Sequence, residues 1–103
     1  MIEMTKRIRI EVLVDAPIAP LLAKLAQTAG ITGHTLLRTT SGSGRQGEWS
    51  EGLVTGATAK YIFLAVANTE RADRFIAEIA PMLESHGLFV LRSEVDVVRP
   101  DKF

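Results

Sequence analysis

The run from Lys60 to Ala67, KYIFLAVA, has no charge after its first residue and is apolar at odd and even positions alike. A strand with this pattern is covered on both sides, because alternate side chains point to opposite faces of a sheet. The chain has 103 residues, enough for one domain, 1–103, with a core of its own and no room for a second. Only two stretches have helical periodicity, so those helices can cover one face of a small sheet. The other face then needs a partner subunit.

The remaining segments fit this frame. Lys6 to Asp15 alternates, with Ile8, Ile10, Val12 and Val14 against Arg7, Arg9, Glu11 and Asp15, which predicts a half-buried strand; Leu13 interrupts the polar side. Pro17 and Pro20 suit a helix entry, and Leu21, Leu22, Leu25, Ala26 and Ala29 follow helical spacing up to a stop at Gly30, predicting a helix over 19–29. Threonine-rich Thr32 to Thr40 reads as a second strand. After KYIFLAVA, Asn68 or Thr69 can cap a helix with Ala72, Phe75, Ile76, Ile79 and Leu83 on its apolar side, ending at Gly87. Pro81 should kink this helix or finish it early, since proline removes an amide and crowds the preceding turn. Leu88 to Val98 alternates Phe89, Leu91, Val95 and Val97 with Arg92, Glu94 and Asp96, a fourth strand. The order β-α-β-β-α-β predicts an α+β fold of the ferredoxin-like kind, an antiparallel sheet with two helices on one face.

Composition narrows the function classes. Twelve basic and twelve acidic residues cancel, against a protein that holds nucleic acid through bulk positive charge. Absence of cysteine excludes disulfides, thiolate metal sites and thiol nucleophiles. The first residues interleave charged and apolar side chains, unlike a secretory signal, and no apolar run reaches membrane-spanning length, so the expected location is the cytoplasm.

Between the second and third strands lies TSGSGRQGEWSEGLVTGAT, Thr40 to Thr58, with Gly42, Gly44, Gly47, Gly52 and Gly56, the single tryptophan Trp49 and a lone Arg45. Glycines this dense let a backbone take positive φ and approach a ligand closely, and a long stretch without periodicity in a small domain is either a functional loop or an idle mobile hairpin. Gly42 to Gly47 satisfies GxGxxG, yet no helix follows to aim its amides at a pyrophosphate, and no Lys-Ser/Thr follows Gly47 to make a P-loop. What survives is an anion-binding nest of glycine amides with Arg45 adding a charge-assisted contact. No nucleophile and base stand together, and Glu48 and Glu51 read as solvated charges rather than an acid-base pair. Trp49 in a polar loop points to a partner surface or a base to stack on. His34, with His86 the only other histidine, reads as a surface or strand residue rather than a metal ligand.

From Ile8 to Arg99 the chain resembles the PII signalling superfamily, and within it the shorter PII-like proteins associated with bicarbonate handling, such as the carboxysome-associated PII protein. Gly30-Ile31-Thr32 resembles that family's GIT, Gly42-x-Gly44-Arg45-Gln46 its G-x-G-R-Q at the T-loop base, Lys60 a basic position opening strand three, and Gly87-Leu88-Phe89-Val90 the end of its B-loop. The resemblance implies a homotrimer with nucleotides in the clefts between subunits and a T-loop, here about 41–58, that docks on a membrane transporter or an enzyme of carbon metabolism. It implies ligand contacts from Thr32, Gly33, Gly44, Arg45, Gln46, Gly47 and Lys60 of one subunit, with Gly87 to Val90 and Arg99 supplied by its neighbour. The B-loop equivalent, Ser85 to Leu88, is short and lacks the family's phosphate-binding lysine, and the T-loop has no tyrosine to be nucleotidylylated. AMP, ADP or cyclic AMP therefore fits better than ATP, and likeness to the carboxysome-associated members adds bicarbonate as a second ligand.

Two rivals share the expected fold. An acylphosphatase-like enzyme would need an arginine-bearing phosphate loop after the first strand, where Ala16 to Pro20 has neither glycine nor arginine. A structural or metal-tolerance trimer of the CutA type would not need the G-x-G-R-Q loop.

Overall fold

The computed structural model describes residues 3–44, 47–50 and 59–98. Strand β1, Thr5–Asp15, runs into a single 3-10 turn at Ala16–Ile18 and then helix α1, Ala19–Thr28. Strands β2 (Thr35–Arg38), β3 (Ser41–Gly44), β4 (Gly47–Ser50) and β5 (Lys60–Ala67) follow, then helices α2 (Thr69–Ile79) and α3 (Met82–Ser85), and strand β6, Phe89–Val97. Four strands form one antiparallel sheet in the order β2-β5-β1-β6, and β3 pairs with β4 in a separate ribbon. This is the expected ferredoxin-like arrangement, in which each βαβ unit leaves a gap filled by a strand of the other.

The alternation in β1 decides which face the helices cover. Ile8, Ile10, Val12 and Val14 are buried beneath them and stand opposite or beside Ala67, Ala65 and Phe63 of β5. Leu22 and Ala26 of α1 and Ala72, Phe75 and Ile79 of α2 close the same core. Phe63 and Phe75 meet at its centre with ring centroids 5.7 Å apart, and both are fully buried. No buried polar residue interrupts this core among the described residues.

Each helix stops for a local reason. At the end of α1 the Gly30 amide donates to the Gln27 carbonyl and the Ile31 amide to the Ala26 carbonyl, with Gly30 at φ +89° and Ile31 buried. That is a Schellman cap, and its left-handed residue is the reason glycine stands there. Asn68 rather than Thr69 caps α2, its side chain accepting from the Arg71 amide at 2.9 Å. Pro81 finishes α2 early: the helix ends at Ile79 and α3 restarts after the proline.

The face away from the helices is apolar along much of its length. Ile62, Leu64 and Val66 of β5 are half-buried there, as is Leu13 of β1. Leu37 of β2 and Phe89 and Leu91 of β6 are exposed on the same side by register, Leu37 facing Ile62 and Phe89 facing Leu13. The two-sided apolar character of KYIFLAVA therefore reflects one covered and one open face. The apolar alternation of β6 points to the open face, with only Val90 packing against the core.

Two expectations change. The second strand is Thr35–Arg38, shorter than Thr32 to Thr40, because pairing with β5 begins at Thr35 opposite Leu64 and leaves Thr32, Gly33 and His34 before the strand. Within the glycine-dense stretch, 41–44 and 47–50 pair as β3 and β4 instead of lacking regular structure; 45–46 and 51–58 lie outside the described residues. Among the described residues no helix is long and apolar enough to cross a membrane.

Candidate functional site

An open cleft of about 920 Å³ lies where the β3–β4 ribbon leaves the sheet. Its floor comes from the ends of β1 and β5, which bring Leu13, Asp15 and Lys60 together because Asp15 and Lys60 are direct cross-strand partners. Ser43, Gly44, Gly47, Glu48 and Trp49 of the ribbon form one wall. Leu83 and Glu84 of α3, with Gly87, Leu88 and Phe89, form the other. Gly47 at φ +107° and Gly87 at φ +61° hold conformations that side-chain-bearing residues rarely adopt, so the backbone at both of these cleft positions depends on glycine.

Of the residues expected to bind ligand, the cleft gathers Gly44, Gly47, Lys60, Gly87, Leu88 and Phe89. Thr32 and Gly33 are exposed and do not line it, and Val90 packs on the core opposite Val12. Arg45, Gln46 and Arg99 lie outside the described residues. The expectation divided the site between two subunits, with Gly87 to Val90 on the neighbour, whereas one chain alone brings Gly87 to Phe89 to the cleft that Gly44 and Gly47 line.

A connected set of contacts organises the polar end. The Trp49 indole N–H donates to Thr39 Oγ1 at 3.0 Å, and that hydroxyl donates to the Lys60 carbonyl at 2.7 Å. The Lys60 ammonium lies 5.3 Å from the centroid of the Trp49 ring and bonds Asp15 Oδ1 at 2.5 Å. The Lys60 side chain is 14% exposed and that of Asp15 32%, so this pair is shielded more than an ordinary surface ion pair. Gly42 stands across the ribbon from Trp49, and a Cβ there would fall 2.2 Å from indole Cζ2. The expected role of that glycine was close approach to a ligand; its first use is to seat the indole. Trp49 itself, expected to await a partner or a base, is half-buried against its own chain.

Chemically, the cleft has apolar lining in Leu13, Leu83, Leu88 and Phe89 and a polar end in which the Lys60 ammonium is bonded to Asp15, with Glu48 and Glu84 also in the lining. Ser85 Oγ lies 2.8 Å from His86 Nδ1, but the hydroxyl also donates to the Pro81 carbonyl at 3.2 Å and the pair is exposed, with no third group orienting it among the described residues. This is a helix-end contact, without the arrangement of a nucleophile and its base. His34 stacks on Phe63, centroids 4.9 Å apart, just before β2 begins. No group of three or more His, Asp or Glu among the described residues is placed to hold a metal.

Asp15, Thr39, Leu83 and Glu84 were not singled out by motif. Asp15 could have been found from register, since opposite charges ending two antiparallel strands are natural cross-strand partners. The others come to the site only in the fold, Thr39 through its bonds to Lys60 and Trp49, and Leu83 and Glu84 through the placement of α3 beside the cleft.

The family model for the Nitrogen regulatory protein P-II matches residues 4–102. Nothing among curated proteins matches the chain. Among solved structures, CPII, a nitrogen regulatory PII-like protein from Thiomonas intermedia K12 bound to ADP, AMP and bicarbonate, superposes with a TM-score of 0.91 at 22% identity, covering 100% of this chain and 98% of that one. The same protein bound to ADP and bicarbonate gives 0.89 at 23% identity over 100% and 99% of the two chains. A PII-like protein from Thermus thermophilus gives 0.82 at 16% identity over 98% of each chain. At these identities the likeness concerns the fold, while the family match spans nearly the whole sequence. With that match, the two interleaved βαβ units and the glycine ribbon rising from the sheet end, the chain belongs to the Nitrogen regulatory protein P-II family.

Proposed function

We propose that this protein is a PII-like signalling protein of the cytoplasm that binds an adenine nucleotide, AMP or ADP in preference to ATP, without turning it over. The observation that carries the reading is the single cleft in which Gly44 and Gly47 of the G-x-G-R-Q ribbon, Lys60 and Gly87 to Phe89 converge. Such a cleft offers an apolar wall for a base and a polar end for phosphate. Arg45, between Gly44 and Gln46 in sequence, supplies the phosphate contact, and Arg99 of a neighbouring subunit adds a second. The subunits associate as a homotrimer through the open sheet face, where Leu13, Ile62, Leu64, Phe89 and Leu91 present apolar surface to solvent. CPII, with the same fold, was solved with ADP, AMP and bicarbonate, which supports the nucleotide class and bicarbonate as a second ligand here. The loop at about 41–58 would then report occupancy to a transporter or an enzyme of inorganic carbon metabolism.

Calorimetric titration with AMP, ADP, ATP and cyclic AMP, each with and without bicarbonate, tests this. Saturable binding of AMP or ADP at least as tight as ATP is expected, with no nucleotide consumed. Failure of all four to bind would overturn the proposal and favour the CutA-like structural role.

A further inference from the structure

We infer that Asp15 sets the charge selectivity of the cleft by competing with the ligand for the Lys60 ammonium. The inference rests on the reading that the cleft takes an anionic nucleotide, and it adds a residue that neither the loop motif nor the family match points to. Lys60 is the one cation among the described lining residues, and it is already engaged: its ammonium is bonded to Asp15 and flanked by the Trp49 ring. A phosphate that reaches it must displace the Asp15 carboxylate or sit beside it. Sharing is costly, because two anionic groups on one ammonium repel each other in a partly shielded site. Glu48 and Glu84 line the same space, so the described lining carries three carboxylates against one ammonium. Each additional phosphate therefore meets more repulsion, and discrimination against ATP is built into the floor of the cleft as well as into the missing B-loop lysine.

Asp15 is well suited to a test of charge alone. Its side chain makes no capping bond to the 3-10 turn that follows, so Asp15→Asn removes a charge and keeps an acceptor for Lys60 without removing a helix cap. Wild type and D15N would be titrated by calorimetry with AMP, ADP and ATP, and with pyrophosphate and tripolyphosphate, at low and physiological salt. A thermal melt of each confirms folding. Removing one negative charge a few ångströms from the ligand at intermediate dielectric should raise affinity by roughly threefold to tenfold for each ligand charge, so ATP gains most and the AMP-to-ATP order flattens or inverts. The gain should shrink as salt rises. Lys60→Met in the D15N background should abolish it, while Glu84→Gln in wild type should give a smaller gain. Equal affinity changes for AMP, ADP and ATP, or none, in a D15N protein that melts like wild type would overturn the inference and leave the functional reading intact. Polyphosphate binding that strengthens in D15N, with no adenine nucleotide bound by either protein, would overturn the functional reading and keep the inference. Absence of binding by every probe would overturn both.

Discussion

Gly42→Ala tests the contact on which the ribbon depends. A Cβ at Gly42 would lie 2.2 Å from Cζ2 and 2.3 Å from Cη2 of Trp49, far inside any real carbon contact, so the indole must leave its seat. Its departure breaks the bond from Nε1 to Thr39, with a net value of about 1 kcal/mol, and the cation–π approach to Lys60, worth about 0.5 to 1 kcal/mol at a half-exposed site. The ribbon thus loses about 2 kcal/mol, which raises its opening equilibrium by roughly thirtyfold. The global melt should move little, because β3 and β4 pair only with each other and not with the main sheet. Trp49 is the only tryptophan, so its fluorescence reports this seat alone. Emission should shift to longer wavelength as the ring becomes solvated, and amide exchange in 41–50 should accelerate by about one to two orders of magnitude while β1 and β5 stay protected. Unchanged emission and unchanged exchange in the variant would refute the idea that Gly42 is there for the indole.

Three further outcomes follow from the same contacts. Phe63→Ala empties the centre of the core between Phe75 and His34 and should cost about 3 to 5 kcal/mol, read as a lowered denaturation midpoint; a loss under about 1 kcal/mol would contradict the packing described. Light scattering should give a trimer mass at micromolar concentration, and Leu64→Glu on the open face should yield monomer; a wild-type monomer would remove the assembly. Arg45→Ala should weaken nucleotide binding about tenfold to a hundredfold and Arg45→Lys less, since a point charge cannot reproduce the guanidinium fork; normal binding by Arg45→Ala would move the site elsewhere.

The main sheet was legible because burial acts on one residue at a time. Ile8, Ile10, Val12 and Val14 alternate in sequence as they alternate in space, and Phe75, Ile79 and Leu22 follow the helical spacing that puts them on the core. Stops were legible for the same local reason: Gly30 and Pro81 act through their own backbone. The short second strand was not, because its length is set by where β5 offers a partner, a pairing made across more than twenty intervening residues. Nor was the facing of β6. Its apolar alternation resembles that of β1, yet in an edge strand it points away from the helices, and only register with Leu13 and Glu11 reveals this.

The cleft shows that glycines of one stretch serve different purposes. Glycine density in 42–47 signals freedom of the backbone, and the sequence offers no means to divide that freedom between ligand approach and internal packing. The fold divides it: Gly42 is occupied by the indole, Gly47 takes a positive φ at the ribbon's tip, and Gly44 lines the cleft. Lys60 was named as a basic position opening the third strand of the family the chain resembles, but its partner Asp15 lies forty-five residues earlier, and only antiparallel register brings the two together. The one cation among the described lining residues is therefore already held by a carboxylate and an aromatic ring. The Asp15 bond and the Trp49 approach meet at one ammonium, which ties the floor of the cleft to the seat of the indole in the ribbon through a single side chain.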